Sequence, residues 1–516
     1  MTGRIKTLGA GLLAGLVAAL LMTLVMALLR YTLGVASTFE MIGDRFAPLI
    51  PVKPFLELQA TLGGYNAMKQ LGVSSAIVGQ LVVGSLGGAA YAIIVGRAGR
   101  SEVEGRRFGR PGVTFVAGAV GVAWLAILTL LWPVLDTNFR GLPPGTARTV
   151  TALGLLFPFA VFGAALILTY RYMTGRAPTG RVVESGTPRV GRRAFLAGGA
   201  GVVLALASGE LFRRLFNQAT FSYDGLRAGV EGKLVRAITP NDEFYVVTKN
   251  VVDPRVSRAA WRCSITGMVD NPRTYGFDEI AALRSVDQET TLSCISNPVG
   301  GRLMSNAMWR GVPLREVEVV LRGADGYTDT FAFEKAMDPT TLVAYEMNGE
   351  PLPDRHGFPA RIIVPGLYGE KNVKWVTGLE LVDYDAKGFY ETQGWGPNFV
   401  QPTRSRFDAP DFTRPFPVGE AVALSGIAYA GDRGVEGVEV STDGGGSWQE
   451  AELTYRGNRL SWSLWGYDWT PEQAGEYALV VRATDGDGEL QIPESRPASF
   501  GKGATGYHSV TTRVEG

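Results

Sequence analysis

Residues 8–29 run from Leu8 to Leu29 without a charge, long enough to cross a bilayer. Three more such runs follow, at about Val73–Val95, Val113–Leu135 and Thr151–Tyr170. All four are rich in Gly and Ala, which lets helices approach closely in lipid. They predict a transmembrane helical domain over 1–172. Arginines cluster between the second and third runs (Arg97, Arg100, Arg106, Arg107, Arg110) and after the fourth (Arg171, Arg176, Arg181, Arg189, Arg192, Arg193). The loop from Asp136 to Arg148 has only Arg140 and Arg148. This asymmetry predicts that the Arg-rich loops and the N-terminus lie in the cytoplasm. The long loop 30–71 then lies outside, although Arg30, Arg45, Lys53 and Lys69 pull mildly the other way.

Over 173–220 the chain reads Gly191-Arg192-Arg193-Ala194-Phe195-Leu196 and then an apolar run, Ala197–Ala207. Paired arginines before a modest apolar stretch resemble a twin-arginine export signal, retained here as a short fifth span. The chain beyond residue 220 is then expected on the periplasmic or extracellular side. From about 221 short alternating segments such as Phe244–Val247 and Arg361–Val364 predict a mixed α+β domain, 221–410. From 411 to 516 the pattern becomes all-β, with Ala421–Gly426, Val435–Ser441 and Tyr477–Arg482 parted by Gly/Asp turns. That reads as an Ig-like β-sandwich.

Charge and composition narrow the function. The 516 residues carry a net charge of +1, which gives no sign of nucleic-acid binding. The two histidines, His356 and His508, both lie beyond the apolar runs, so the membrane part cannot hold a bis-histidine haem. With only Cys263 and Cys294, neither a Cys₄ zinc site nor an Fe–S cluster can form. Cys294 stands between a short apolar approach and the turn-prone Asn297-Pro298-Val299-Gly300-Gly301-Arg302. On this stretch alone a buried thiol, or half of a disulfide with Cys263, is favoured over a single metal-binding thiolate. Two smaller motifs carry little. The Asp-box-like Ser441–Trp448 reads as a hairpin, and Asp485–Glu489 lacks the distal glutamate of a calcium loop.

Residues 345–375 contain Asn348-Gly-Glu-Pro-Leu-Pro-Asp-Arg-His356-Gly-Phe-Pro-Ala-Arg361-Ile-Ile-Val-Pro-Gly-Leu-Tyr-Gly-Glu-Lys-Asn-Val373-Lys374-Trp375. This long, irregular pattern closely resembles the sulfite oxidase family of molybdopterin enzymes, over roughly 230–516. The resemblance implies a molybdenum–molybdopterin cofactor, with Cys294 as the metal ligand. It assigns His356, Arg361 and Lys374 to the pterin and its phosphate, with Val373, Asp325, Thr248 and Asn250 along the same pocket. Lys249, Trp309 and Arg302 fall near the reacting centre, Trp309 being kept from the family pattern. The C-terminal part resembles the family's dimerisation domain, which implies a homodimer.

The chain departs from the family where sulfite would sit. Val299, Val247 and Ala386 stand where sulfite-binding arginines and a tyrosine are expected, with Lys249, Arg302 or Arg310 left to restore charge. The combined reading is a membrane-anchored, extracytoplasmic oxidoreductase performing two-electron oxo transfer on a small sulfur or nitrogen oxo compound, a neutral one being favoured. Its electrons would pass to an external c-type cytochrome or a quinone-linked partner. The alternatives are an S-oxide reductase fed from the membrane, sulfite oxidase proper, and a membrane-anchored binding module without chemistry.

Overall fold

The computed structural model describes residues 2–46, 65–101, 110–135, 144–174, 190–218, 232–248, 253–314, 319–396, 398–498 and 502–516, with a few positions between 49 and 62. It divides into a helical unit and a β-rich unit.

The helical unit consists of α1 (Thr2–Leu33), α2 (Thr38–Phe46), α3 (Tyr65–Ser101), α4 (Arg110–Leu131), α5 (Pro144–Thr174) and α6 (Val190–Gln218). All but α2 are long and apolar enough to cross a membrane; the fifth such window is Arg193–Leu211. The central helix α1 packs on α3, α5 and α6. Its Gly11 and Gly15 meet Gly84 and Gly88 of α3 so closely that a Cβ on Gly88 would run into the Gly11 carbonyl. Small residues without side chains at these positions let the two helix backbones approach this closely. At Gly34 (φ +76°) the chain turns left-handed and ends α1, the Gly34 N–H returning to the Arg30 carbonyl at 3.1 Å. Ser37 and Glu40 then start α2: the Glu40 carboxylate accepts from the Ser37 N–H and hydroxyl. Its other oxygen meets the buried Arg30 guanidinium at 2.9 Å, so both charges are paired inside the bundle.

The β-rich unit holds three sheets. One orders Arg273–Gly276, Arg262–Gly267, Val376–Leu381, Val319–Gly323 and Thr328–Phe331. It covers a core around the fully buried Trp261 and Trp375. The second runs Val286–Ser293, Met304–Pro313, Leu342–Met347 and Glu350–Pro351, with Arg361–Ile363 also paired to Leu342–Met347. In the third, eight strands between Arg404 and Glu515 form one hydrogen-bonded path around Trp465, Leu479 and Val481. The third sheet grips the second. The Tyr429 hydroxyl donates to the Thr291 carbonyl (3.0 Å), the Trp462 N–H to the Thr291 hydroxyl (2.9 Å), and the Tyr455 hydroxyl to the Glu289 carboxylate (2.8 and 2.9 Å).

One predicted strand is absent. Phe244–Val247 has no ladder partner; the Tyr245 N–H is satisfied by the Ser305 hydroxyl (3.1 Å), and the apolar residues fill a core beside Trp309. Alternation read burial correctly there but mistook a wedge for a strand.

Candidate active site

Cys294 ends the strand Val286–Ser293, whose register pairs Ser293 with Met304. The turn after it is fixed by its own atoms. The Cys294 N–H donates to the Leu303 carbonyl, the Asn297 N–H to the Cys294 carbonyl, and the Leu303 N–H to the Asn297 side-chain oxygen, each at 3.0 Å. Outside, the turn rests on the third sheet: Arg406 donates to the Gly301 carbonyl at 2.5 Å, and the His508 ring packs on Gly300, where a Cβ would collide. Cys263 lies in a different core, and both cysteines are free, so the disulfide alternative fails.

The Cys294 thiol is buried, 3.0 Å from the Ser296 hydroxyl. Burial, then the Glu370 carboxyl, push it up to about 11. A sulfur so placed is a poor thiolate by itself, and a bound metal cation would displace its proton, which is released. Glu370 itself, with both carboxylate oxygens buried, is lifted to about 8 chiefly by burial.

A second group is cationic. Arg361 is buried; its guanidinium donates to the His356 and Asn372 carbonyls (both 3.1 Å) and lies 5.1 Å from the Trp309 ring centre. Its Nε–H is buried without a hydrogen-bond partner, and no carboxylate pairs with it among the described residues. Burial lowers it to about 10. Lys374 donates to the Arg355 carbonyl (3.1 Å) and is lowered to about 8, first by burial, with Asp253 and Asp325 opposing and Arg361 and Arg355 assisting. His356 is held neutral: burial brings it to about 3, and its Nε2–H donates to the Asn241 carbonyl at 2.8 Å. That tautomer leaves Nδ1 as an acceptor. Phe244 stands edge-on to both His356 (5.3 Å) and Trp309 (5.7 Å). Tyr245 is within electrostatic reach of both Cys294 and Arg361, which ties the two groups into one site.

The remaining sequence-derived residues are distributed around this centre. The buried Asp325 accepts from the Tyr327 N–H (3.0 Å) while acting on Lys374. Thr248 donates to the Asp253 carboxylate (3.0 Å). Val373 places its side chain in the core and its carbonyl on the Ile362 N–H (2.8 Å). Arg302 is half-buried where the Cys294 turn closes. Lys249 and Asn250 lie outside the described residues. Arg310 is exposed and held by Asp287 at 2.8 and 2.9 Å, so its charge is already matched. Four residues escaped the sequence reading: Asp253, Tyr368, Glu370 and Arg404. Tyr368 and Glu370 lie inside the long motif; Arg404 had a signal in the Arg404-Ser405-Arg406 alternation, which puts both arginines on one face of a strand.

The donor set fits a phosphorylated, metal-bearing pterin. Arg361 and Arg355 lower Lys374, and all three cations lower His356, a cost that a bound anion would offset. Residues 250–390 match the family model for the oxidoreductase molybdopterin binding domain, and 411–515 that for the Mo-co oxidoreductase dimerisation domain. The chain is 30% identical over 272 residues to the mitochondrial sulfite oxidase of Rattus norvegicus, spanning 46% of this chain and 50% of that protein. It is 26% identical over 351 residues to the sulfite oxidase of Arabidopsis thaliana (54% and 88%), and 27% over 324 residues to the NAD(P)H nitrate reductase of Hordeum vulgare (48% and 36%). Among solved structures, the sulfane dehydrogenase SoxCD of Paracoccus pantotrophus aligns with a TM-score of 0.48 at 23% identity, over 55% of this chain and 84% of that one. The chain belongs to the sulfite oxidase family of molybdopterin-dependent oxidoreductases. In this member, the two family domains come after a helical region with five apolar helices long enough to span a membrane.

Proposed function

We propose that the protein is a membrane-anchored, extracytoplasmic oxidoreductase that moves one oxygen atom between water and a small sulfur or nitrogen oxo compound. In the oxidising direction the substrate gains oxygen from water, and two protons and two electrons leave. Bound molybdenum–molybdopterin supplies the two-electron oxygen-transfer chemistry. The chain's residues supply position and field. Cys294 would hold the metal, on a turn fixed from inside by Asn297 and from outside by Arg406. Arg361 and Lys374 would hold the phosphate end, and His356, neutral, would offer Nδ1 to the pterin. Trp309 and Phe244 pack edge-on in the buried core beside Arg361 and His356.

The observation that carries this reading is the buried Arg361 guanidinium with an open N–H and no carboxylate paired to it among the described residues, with Tyr245 within electrostatic reach of both it and a buried thiol. The two electrons would leave to an external acceptor, a c-type cytochrome or a quinone-linked protein. The match to a dimerisation domain supports a homodimer built on the Ig-like C-terminal sheet. Metal and pterin analysis of the purified full-length protein tests the proposal directly: about one molybdenum per chain is expected from its single metal-binding thiolate, with pterin alongside it. Protein that takes up neither, from cells that make the cofactor, would refute it.

A further inference from the structure

The Ser296 hydroxyl has one hydrogen-bond partner among the described residues, the Cys294 sulfur, at 3.0 Å. The Ser296 backbone N–H acts on the sulfur in the same direction, and both loosen the hold of Cys294 on its proton. The fold sets this contact. The Asn297 N–H closes a tight turn on the Cys294 carbonyl (3.0 Å), which brings residue 296 back toward the side chain two positions before it. Ile295, between them, is buried against Tyr368, Trp395 and Phe399, so the backbone that carries both groups is held in place. Ser296 itself is half-buried beside a buried sulfur.

In the cofactor-free protein either atom can donate, because thiol and hydroxyl each carry a proton. Once a metal has displaced the thiol proton, the sulfur can only accept, and the hydroxyl becomes the donor. Such a bond draws electron density from the sulfur and weakens its donation to the metal. It strengthens as the metal is reduced, because the sulfur then carries more negative charge, and burial of the sulfur limits screening by water. Hydrogen bonds to a metal-bound sulfur therefore favour the reduced state and raise the reduction potential.

Building on the oxo-transfer reading of the site, we propose that Ser296 donates a hydrogen bond to the metal-bound Cys294 sulfur and so raises the potential of the metal. A higher potential biases the centre toward taking electrons from its substrate. In that direction the substrate gains one oxygen atom from water, two electrons pass by way of the metal to the external acceptor, and two protons are released. Ser296 acts through Cys294, as a positioning residue and not a catalytic one, and leaves the organic part of the cofactor to Arg361 and Lys374.

The probe is the molybdenum itself. Its midpoint potential is read by electron paramagnetic resonance during redox titration of full-length, detergent-solubilised, molybdenum-loaded protein. Ser296→Ala is expected to lower the potential by a tenfold change in the oxidised-to-reduced ratio, about 59 mV for a one-electron step, with molybdenum and pterin content unchanged. Ser296→Thr, which restores a hydroxyl, should return to the wild-type value. Only loaded sites give the signal, so a merely structural role for Ser296 would lower occupancy and leave the potential where it was. Equal potentials in wild-type and molybdenum-replete Ser296→Ala protein overturn this inference and leave the proposed function standing. So does a potential that rises in the alanine variant. Should the alanine variant lose its molybdenum, the threonine variant decides: a potential matching the wild type upholds the hydroxyl's role, and one displaced tenfold overturns it. Wild-type protein devoid of molybdenum overturns the proposed function instead.

Discussion

Replacing Arg361 by alanine separates a structural role from a cofactor-binding one. In the cofactor-free protein the guanidinium makes two carbonyl hydrogen bonds and a contact with Trp309, yet it keeps a buried charge that no carboxylate pairs with among the described residues. Removing it loses the bonds and relieves the charge burial; the two effects oppose each other. With an anionic pterin bound there is no relief, because the charge is matched. The variant then forfeits a charged hydrogen bond of about 1.5–3 kcal/mol, equivalent to roughly ten- to hundredfold weaker cofactor retention. The assay is a pair of thermal melts, on protein from a host that makes the pterin and from one that cannot, with pterin content measured after dialysis. Arg361→Ala should depress the cofactor-loaded melt clearly more than the cofactor-free one, and Arg361→Lys should recover part of the difference. Equal losses in the two forms would mean that Arg361 merely ties together the His356 and Asn372 segments, and the pterin assignment would fail.

Three further outcomes are expected. Cys294→Ser should abolish oxo transfer while the pterin stays bound, since the cationic pocket is untouched; full activity in this variant refutes the metal assignment. Gly88→Val drives a side chain into the Gly11 carbonyl and should disperse the helical bundle in detergent, as read by size exclusion, whereas Gly79→Val, with open space around it, should not. His508 is lowered by burial to about 4 from an ordinary 6.5, Arg406 adding and Asp408 opposing, so it is neutral when folded. The unfolded chain gains a proton first as pH drops, so stability should fall between pH 6.5 and 4 by up to about 1.4 kcal/mol per unit. His356 adds a slope of the same sign, and His508→Gln should remove only its own share, measured by denaturant melts at pH 7.5 and 4.5.

The range of each interaction decides whether the sequence disclosed it or hid it. The apolar runs are local, and each became a helix, the fifth extending well beyond Ala197–Ala207 because its basic start continues the helical hydrogen bonding. The motif from Asn348 to Trp375 is nearly contiguous, so His356, Arg361 and Lys374 could be read together. Arg404 could not, because its meaning depends on a strand 110 residues beyond Cys294 folding back along the Cys294 turn. Glu370 sits within the motif, but its buried carboxyl matters only through proximity to Cys294. Phe244–Val247 failed differently, since period-two burial does not reveal whether a backbone finds a ladder.

The same fold-back makes the C-terminal domain part of the site, and Arg406 tests how far. Its guanidinium holds Asp408 in a buried pair, and one N–H supports the Gly301 carbonyl. Arg406→Met alone should cost about 3–5 kcal/mol, mostly because Asp408 is left buried and unmatched. Arg406→Met with Asp408→Leu replaces the pair by apolar groups of similar size, which is commonly neutral for stability. The double variant should therefore melt near the wild type, yet the turn would have lost its outer support. Alkylation of Cys294 in the cofactor-free protein reads this out: the buried thiol should react slowly in the wild type and measurably faster in the double variant. Equal rates would show that Asn297 and Leu303 hold the turn unaided, and that the third sheet merely covers a site the catalytic domain builds for itself.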